Sequence, residues 1–330
     1  MNARWIVRHR VLLVAVIVFA YGVAFAPGFL APSNLGNLLA QATADAVIAV
    51  GMTVLMVAGY VDLSVGSTLA VVGVVYAMAA QVTGIAEATV MALAVGALAG
   101  IVNAALVTVF RVNFFIATLA TMVGYQGFVL TITGGQTVYG ARAGFAWLAA
   151  SAGVAGLSVS ALLVVGLVVV VVGDLFLSQT ATGRHIHAVG SSPRAALRAG
   201  ISVKRNIALG YVISGMCAAI AGLMVAARTS SGSPDVGSSD ALVAISACII
   251  GGTSLFGGEG TVRYSVLGVL ILGAVQNLLF LKVVAPYWTN IVQGCILAAV
   301  VVFDVIVTRG RQRSVDQAVG LQLFKDPELA

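Results

Sequence analysis

Four polar side chains recur at helical spacing inside one long apolar run near the start of the chain: Asn34, Asn37, Gln41 and Asp45. Steps of three and four residues place them within an arc of about 80° on one face of a helix. Amide and carboxylate groups in such a stripe can hydrogen-bond a hydroxyl-rich, uncharged solute, which predicts a substrate path. The alternative is that Asn34 and Asn37 only meet solvent at the helix end while Asp45 is neutral or paired.

Other polar residues inside apolar runs form a second set of candidates for this path: Asn103, Thr118, Thr121, Tyr125, Gln276 and Asn277. Polar groups are costly inside a bilayer, so their presence there indicates function. Threonine hydroxyls, however, commonly bond to the carbonyl one turn back, and amides commonly join neighbouring membrane helices. The sequence leaves both alternatives open.

No residue pattern indicates catalysis by this chain. None of the three lysines, Lys204, Lys282 and Lys325, follows a glycine, so the sequence contains no GxxxxGK[ST] phosphate-binding loop. The cysteines and histidines form no cluster with metal-ligand spacing. We therefore predict a protein that is not an enzyme and that has no catalytic, cofactor-binding or metal-binding residues.

Two glycine-containing segments interrupt the apolar runs and predict helix breaks. In the first, which contains Asp62, Ser64 and Gly66, we expect Asp62 or Ser64 to cap the following helix by accepting bonds from its free N–H groups. A direct role in transport is the alternative. The second segment is predicted to be a break because of its glycines: Gly251, Gly252, Gly257 and Gly258.

The composition indicates a membrane protein. Of the 330 residues, 60% are hydrophobic and 8% are charged, whereas soluble domains are about 45–50% apolar and about 25% charged. With a mean hydropathy of +1.08, a soluble enzyme is excluded. One span needs roughly 20 residues, so we predict an all-α polytopic membrane protein with about ten transmembrane helices. The apolar runs cover approximately residues 11–26, 35–58, 66–82, 87–110, 115–134, 153–177, 207–227, 241–256, 264–281 and 289–307.

Charged residues orient these spans. If residues 1–10 are cytoplasmic, all 17 Lys and Arg residues except Arg142, Arg228 and Lys282 fall on the inner side, as the positive-inside rule requires. Ten spans then divide into an inverted 5+5 pseudo-repeat. We predict one transmembrane domain over residues 1–330, whose cytoplasmic parts are residues 1–10, 178–206 and 308–330. A cleaved signal peptide is the alternative to a retained first helix.

The predicted cytoplasmic loop 178–206 contains a short helix. Ser192 is a suitable N-cap, Pro193 suits the first helical position, and Gly200 suits the position after the helix end. A helix of about two turns is unstable alone in water, so we expect it to dock on a partner. The alternative is a helix on the membrane surface whose arginines face anionic lipid.

Five segments in order along the chain resemble a known family. They are AVGMT at 49–53, DLSVGS at 62–67, FIATL at 115–119, GRHIHAVG at 183–190 and IGGTSLFGG at 250–258. Together they resemble the signatures of ribose-type ABC importer permeases over residues 34–306. Asn113 stands where the family usually has Pro, and Ala120 where it usually has Gly. Both departures fall at the fifth predicted helix, so the resemblance does not carry a substrate identity.

The resemblance implies a permease subunit of an ATP-driven importer for a monosaccharide or related polyol, in the bacterial inner membrane. It implies a second permease copy or paralogue, two subunits that bind ATP and Mg²⁺, a periplasmic or lipid-anchored sugar-binding protein, and membrane lipid as partners. Nucleic acid is not expected, because the basic residues form no face with interleaved aromatics. The residues expected to couple to the ATPase are Gly183, Arg184, Gly190, Ser192, Pro193, Arg194, Leu197, Arg198 and Gly200.

Two alternatives remain. One is an ABC permease for another small solute, such as a signalling sugar or a branched-chain amino acid. The other is a proton-coupled secondary transporter, which needs a buried relay of ionisable groups, whereas Asp45 stands nearly alone within the predicted spans.

Overall fold

Helices dominate the computed structural model of the chain, which describes residues 3–140, 151–154, 157–285, 288–289, 291–299 and 301–302. The helices are α1 (Ala3–Phe25), α2 (Pro32–Val57), α3 (Val65–Val82), α4 (Ile85–Thr108), α5 (Phe114–Thr133), α6 (Ala161–Gln179), α7 (Ala181–Ser191), α8 (Pro193–Arg198), α9 (Val203–Thr229), α10 (Asp240–Ile250) and α11 (Val262–Leu281). Residues 291–299 are also helical. Four short strands, β1 (Val138–Tyr139), β2 (Ser151–Val154), β3 (Leu157–Ser160) and β4 (Ser231–Gly232), form the antiparallel pairs β1–β4 and β2–β3.

Seven helices within the described residues are long and apolar enough to cross a membrane: α2, α3, α4, α5, α6, α9 and α11. The prediction of an all-α polytopic membrane protein is therefore confirmed, apart from the two small strand pairs. The apolar part of α1, Val11–Phe25, is shorter than these seven. The predicted last span, 289–307, and the predicted tail, 308–330, lie partly or wholly outside the described residues.

The extents of two predicted spans were wrong. The run 153–177 becomes helical only at Ala161, because β2 and β3 form a hairpin in a stretch whose glycines and serines weaken helix formation. The run 241–256 stops being helical after Ile250, where Gly252 has a left-handed backbone (φ +82°) that glycine adopts without strain. Eleven helical residues span about 16 Å, roughly half of a ~30 Å hydrocarbon core.

The centre of the helix bundle is formed by α2, α3 and α9, and α4 packs closely on α9. Small residues allow this approach: a Cβ added at Gly100 of α4 would lie 2.6 Å from the carbonyl oxygen of Tyr211 in α9. Large apolar side chains of α5 and α6, among them Phe115, Ile116 and Leu167, are exposed on the outside of the bundle. Such faces suit contact with lipid tails.

Candidate functional site

A buried carboxylate lies in the break between α2 and α3. Asp62 is 1% exposed, and its Oδ1 accepts hydrogen bonds from the backbone N–H of Ser64 (2.9 Å), from Ser64 Oγ (2.7 Å) and from Asn103 Nδ2 (3.2 Å). Its Oδ2 accepts a bond from Ser214 Oγ (3.2 Å). Four donors therefore compensate for the removal of this carboxylate from water.

The same set of bonds connects several helices. Asn103 Nδ2 also donates to Ser64 Oγ (2.8 Å), and Asn103 Oδ1 accepts from Thr121 Oγ1 of α5 (2.8 Å). Asp62, Ser64, Asn103, Thr121 and Ser214 form what we name the Asp62 cluster. It joins the α2–α3 break to α4, α5 and α9, and it combines residues that the sequence had assigned separately to a helix break and to a substrate path.

The expected helix cap in this break was wrong. Ser64 occupies the N-cap position of α3, but its side chain accepts no bond from the helix. Its hydroxyl donates to Asp62 instead, and Asp62 accepts from the N–H of Ser64, two residues on, in the manner of an Asx turn. Gly66 is required for a different reason: a Cβ at this position would overlap the backbone carbonyl of Gly237.

The predicted polar stripe of α2 separates into two parts. Asn34 and Asn277 of α11 exchange two hydrogen bonds between their amides (2.9 and 2.8 Å), which join the two helices. Asn37 and Gln41, in contrast, have exposed side chains, and Asp45 is half-buried. Within this stripe, Asn37 and Gln41 are therefore the residues with exposed polar side chains.

The remaining path candidates make local or interhelical contacts. Thr118 Oγ1 bonds back to the carbonyl of Phe114 (2.9 Å), and the Tyr125 hydroxyl lies 3.4 Å from the carbonyl oxygen of Ala99 in α4, which accepts its hydrogen bond. Gln276 is half-buried on α11. Of these contacts, the Thr118 bond lies within α5, and the Tyr125 bond joins α5 to α4.

A second site lies where α2 ends, and the sequence had not predicted it as a unit. The carbonyl of Val57 accepts a bond from the N–H of Gly258 (2.8 Å). A Cβ added at Gly190 of α7 would lie 2.6 Å from that same nitrogen, and one at Gly257 would lie 2.9 Å from both Gly59 and the Gly190 carbonyl oxygen. We name Gly59, Gly190, Gly257 and Gly258 the glycine junction. It holds α7, loop 251–261 and the end of α2 together.

Loop 178–206 contains two helices, whereas the sequence predicted one. The predicted helix at 192–199 is confirmed as α8, in which Ser192 Oγ accepts from the N–H of Ala195 (3.3 Å) and Gly200 has φ +78°. The helix that was missed is α7. Its signal was present in the sequence, because Thr180 is an N-cap and Ile186 and Val189 are buried at helical spacing.

One face of α8 is anchored and the other is exposed. Ala196 is buried in a small apolar cluster with Val189 and Tyr211. Leu197 is 67% exposed, and Arg194 and Arg198 on either side of it are also exposed. An exposed leucine between two arginines is a suitable surface for binding a protein with an apolar groove and an acidic rim.

Comparison with known proteins gives a family for this arrangement. Residues 34–301 match the model of the family described as branched-chain amino acid transport system / permease component. The ribose import permease protein of Escherichia coli is 35% identical over 310 residues, covering 91% of this chain and 94% of that protein. The L-arabinose transport system permease protein of Escherichia coli is 35% identical over 311 residues, covering 90% of each chain.

A third relative, the autoinducer 2 import system permease protein of an Enterobacter strain, is 33% identical over 293 residues, covering 88% of this chain and 84% of that protein. No solved structure matches the chain.

Proposed function

Since the chain belongs to the family of branched-chain amino acid transport system permease components, we propose that it is the membrane permease subunit of an ATP-driven ABC importer for a monosaccharide or related polyol. The observation that carries this proposal is the 35% identity, over nearly the whole chain, to permeases named for ribose and arabinose. The similarity to the autoinducer 2 permease makes a signalling sugar the second candidate solute.

The proposed architecture extends the seven helices to ten spans in an inverted 5+5 arrangement, forming one domain over residues 1–330. The chain lies in the bacterial inner membrane with both termini in the cytoplasm. Residues 1–10, loop 178–206 and tail 308–330 are its cytoplasmic parts. The distribution of Lys and Arg supports this orientation.

The proposed complex contains a second permease copy or paralogue, two ATP-binding subunits that hold ATP and Mg²⁺, and a periplasmic or lipid-anchored sugar-binding protein. α8 docks on an ATP-binding subunit, and movement of α8 reaches the end of α2 through α7 and the glycine junction. Because α2 carries Asn37 and Gln41, this route connects ATP-driven closure to a helix of the proposed path. Such packed contacts suit a switch between two access states.

Substituting Leu197→Asp tests the docking of α8. The side chain is exposed, so we expect the chain to insert normally and to keep its thermal stability in detergent. We expect at least about a tenfold loss of affinity for the ATP-binding subunits, since a charge in an apolar groove is uncompensated. Co-purification and substrate-stimulated ATP hydrolysis measure the effect. A mutant complex that assembles and transports at the wild-type rate would exclude this role.

Substituting Gln41→Leu tests the path on α2. Gln41 is exposed and no hydrogen bond from its side chain is found among the described residues, so stability and basal ATP hydrolysis should not change. Sugar uptake into vesicles that hold the whole complex should fall several-fold, because an amide facing the solute is removed. Asn34→Leu is the matched control: it breaks the amide pair with Asn277 and should lower stability. Normal uptake by Gln41→Leu would remove Gln41 from the path.

A further inference from the structure

An exposed aromatic side chain lies on an ordered loop next to α8. Phe256, in loop 251–261, is 60% exposed. Its backbone N–H donates to Ser254 Oγ (3.1 Å), and the N–H of Ser254 donates to the carbonyl of Glu259 (3.0 Å). The loop is therefore a closed turn that presents Phe256 at its tip. Because the loop backbone is already held, a partner that covers Phe256 does not have to order the loop, which lowers the entropic cost of binding.

The loop reaches the point where α7 is followed by α8. A Cβ added at Gly258, two residues after Phe256, would lie 3.0 Å from Cα of Ser191, the last residue of α7. The Gly258 carbonyl oxygen is also 3.0 Å from Nδ1 of His187. Ser191 directly precedes Ser192, the N-cap of α8. Loop 251–261, which carries Phe256, thus meets the chain at the start of α8, and Leu197 lies near the end of α8.

We propose that Phe256 and Leu197 are two apolar anchors of one docking surface, and that the ATP-binding subunit covers both. This inference rests on the proposed function and adds loop 251–261 to the interface expected for α8. The loop that carries Phe256 meets Ser191, the residue before the N-cap of the helix that carries Leu197. Aromatic residues, including Phe, and arginines are enriched at protein interfaces.

The charges on this surface indicate the chemistry of the partner. Arg184, Arg194 and Arg198 are exposed on α7 and α8. Among the described residues, an ion pair joins Arg263 to Asp174, and neither Arg194 nor Arg198 forms one. The covering surface should therefore have an apolar groove with acidic or carbonyl groups at its rim. A membrane lipid surface also accepts aromatic rings. The experiment must therefore distinguish a lipid contact at Phe256 from a protein contact.

Photo-crosslinking of the full-length chain in its native membranes tests this surface. Benzoylphenylalanine is placed singly at position 256, 197 or 139; Tyr139 in β1 is the control, an exposed aromatic residue (72%) on the side that we propose to be periplasmic. We expect positions 256 and 197 to give adducts with one and the same protein, whose peptides contain a P-loop, and position 139 to give no such adduct.

The outcomes separate the two proposals. An ATP-binding adduct from position 197 alone, with lipid or no adduct at 256, would overturn the role of Phe256 and leave the proposed function intact. No ATP-binding adduct from either position would overturn the proposed function as well.

A substitution gives an independent measurement of the same surface. We expect Phe256→Ala to weaken binding of the ATP-binding subunit by about tenfold while the thermal stability of the isolated chain is unchanged. Tyr139→Ala should alter neither quantity. Equal affinity of the Phe256→Ala and wild-type chains would contradict the proposal.

Discussion

Replacing Asp62 with alanine is expected to lower the free energy of unfolding of the chain by roughly 3 kcal/mol or more. The substitution removes the acceptor for Ser64, Asn103 and Ser214 at once, at a site with 1% exposure. Water does not readily replace the lost carboxylate there, so the donors stay unsatisfied. Thermal unfolding of the purified chain in detergent measures this loss.

Two further variants show whether the effect belongs to the Asp62 cluster. Asp62→Asn keeps one acceptor oxygen, so its free energy of unfolding should lie between those of Asp62→Ala and the wild type. Ser246→Ala removes a buried hydroxyl whose one hydrogen bond among the described residues goes to the carbonyl of Leu242 in its own helix, and it should cost less than about 1 kcal/mol. If Asp62→Ala were no more destabilising than Ser246→Ala, the cluster would not hold the helices together.

Replacing Gly190 with alanine is expected to destabilise the chain by about 1–3 kcal/mol and to reduce uptake by the complex more than tenfold. The added Cβ meets the carbonyl of Val57 and the nitrogen of Gly258, where a 2.8 Å hydrogen bond now joins them. To make room, α7 must move away from α2 and loop 251–261. Thermal unfolding and vesicle uptake check the two parts of this prediction.

A second glycine-to-alanine substitution is a control that should not lower the unfolding temperature. Gly124 lies in α5, and a Cβ there would have no neighbour within 4 Å among the described residues. Alanine favours a helix over glycine by about 1 kcal/mol, so Gly124→Ala should leave the unfolding temperature of the isolated chain unchanged or raise it. Should both variants shift the temperature in the same direction, close packing would not explain the role of Gly190.

The sequence predicted the members of the functional sites better than their grouping. Asp62 and Ser64 were singled out as part of a helix break, and Asn103 and Thr121 as candidates for a substrate path. They meet because α4, α5 and the α2–α3 break pack together, and Ser214, which completes the cluster from α9, carried no local signal. In the same way, the glycines at 251–258 were predicted as a helix break, and the contact of Gly257 and Gly258 with Gly190 was not predicted.

By itself, the sequence determined the features that depend on neighbours along the chain. Apolar runs fix membrane insertion because burial in lipid needs no particular partner, and the caps of α8 act within a few residues. The tertiary structure decided which polar groups share a hydrogen bond, as in the Asp62 cluster. It also decided which side chains stay exposed, so that Ala196 is buried while its neighbour Leu197 is not. These outcomes depend on how segments that are distant in the sequence pack together. The residues within any one segment do not specify that packing.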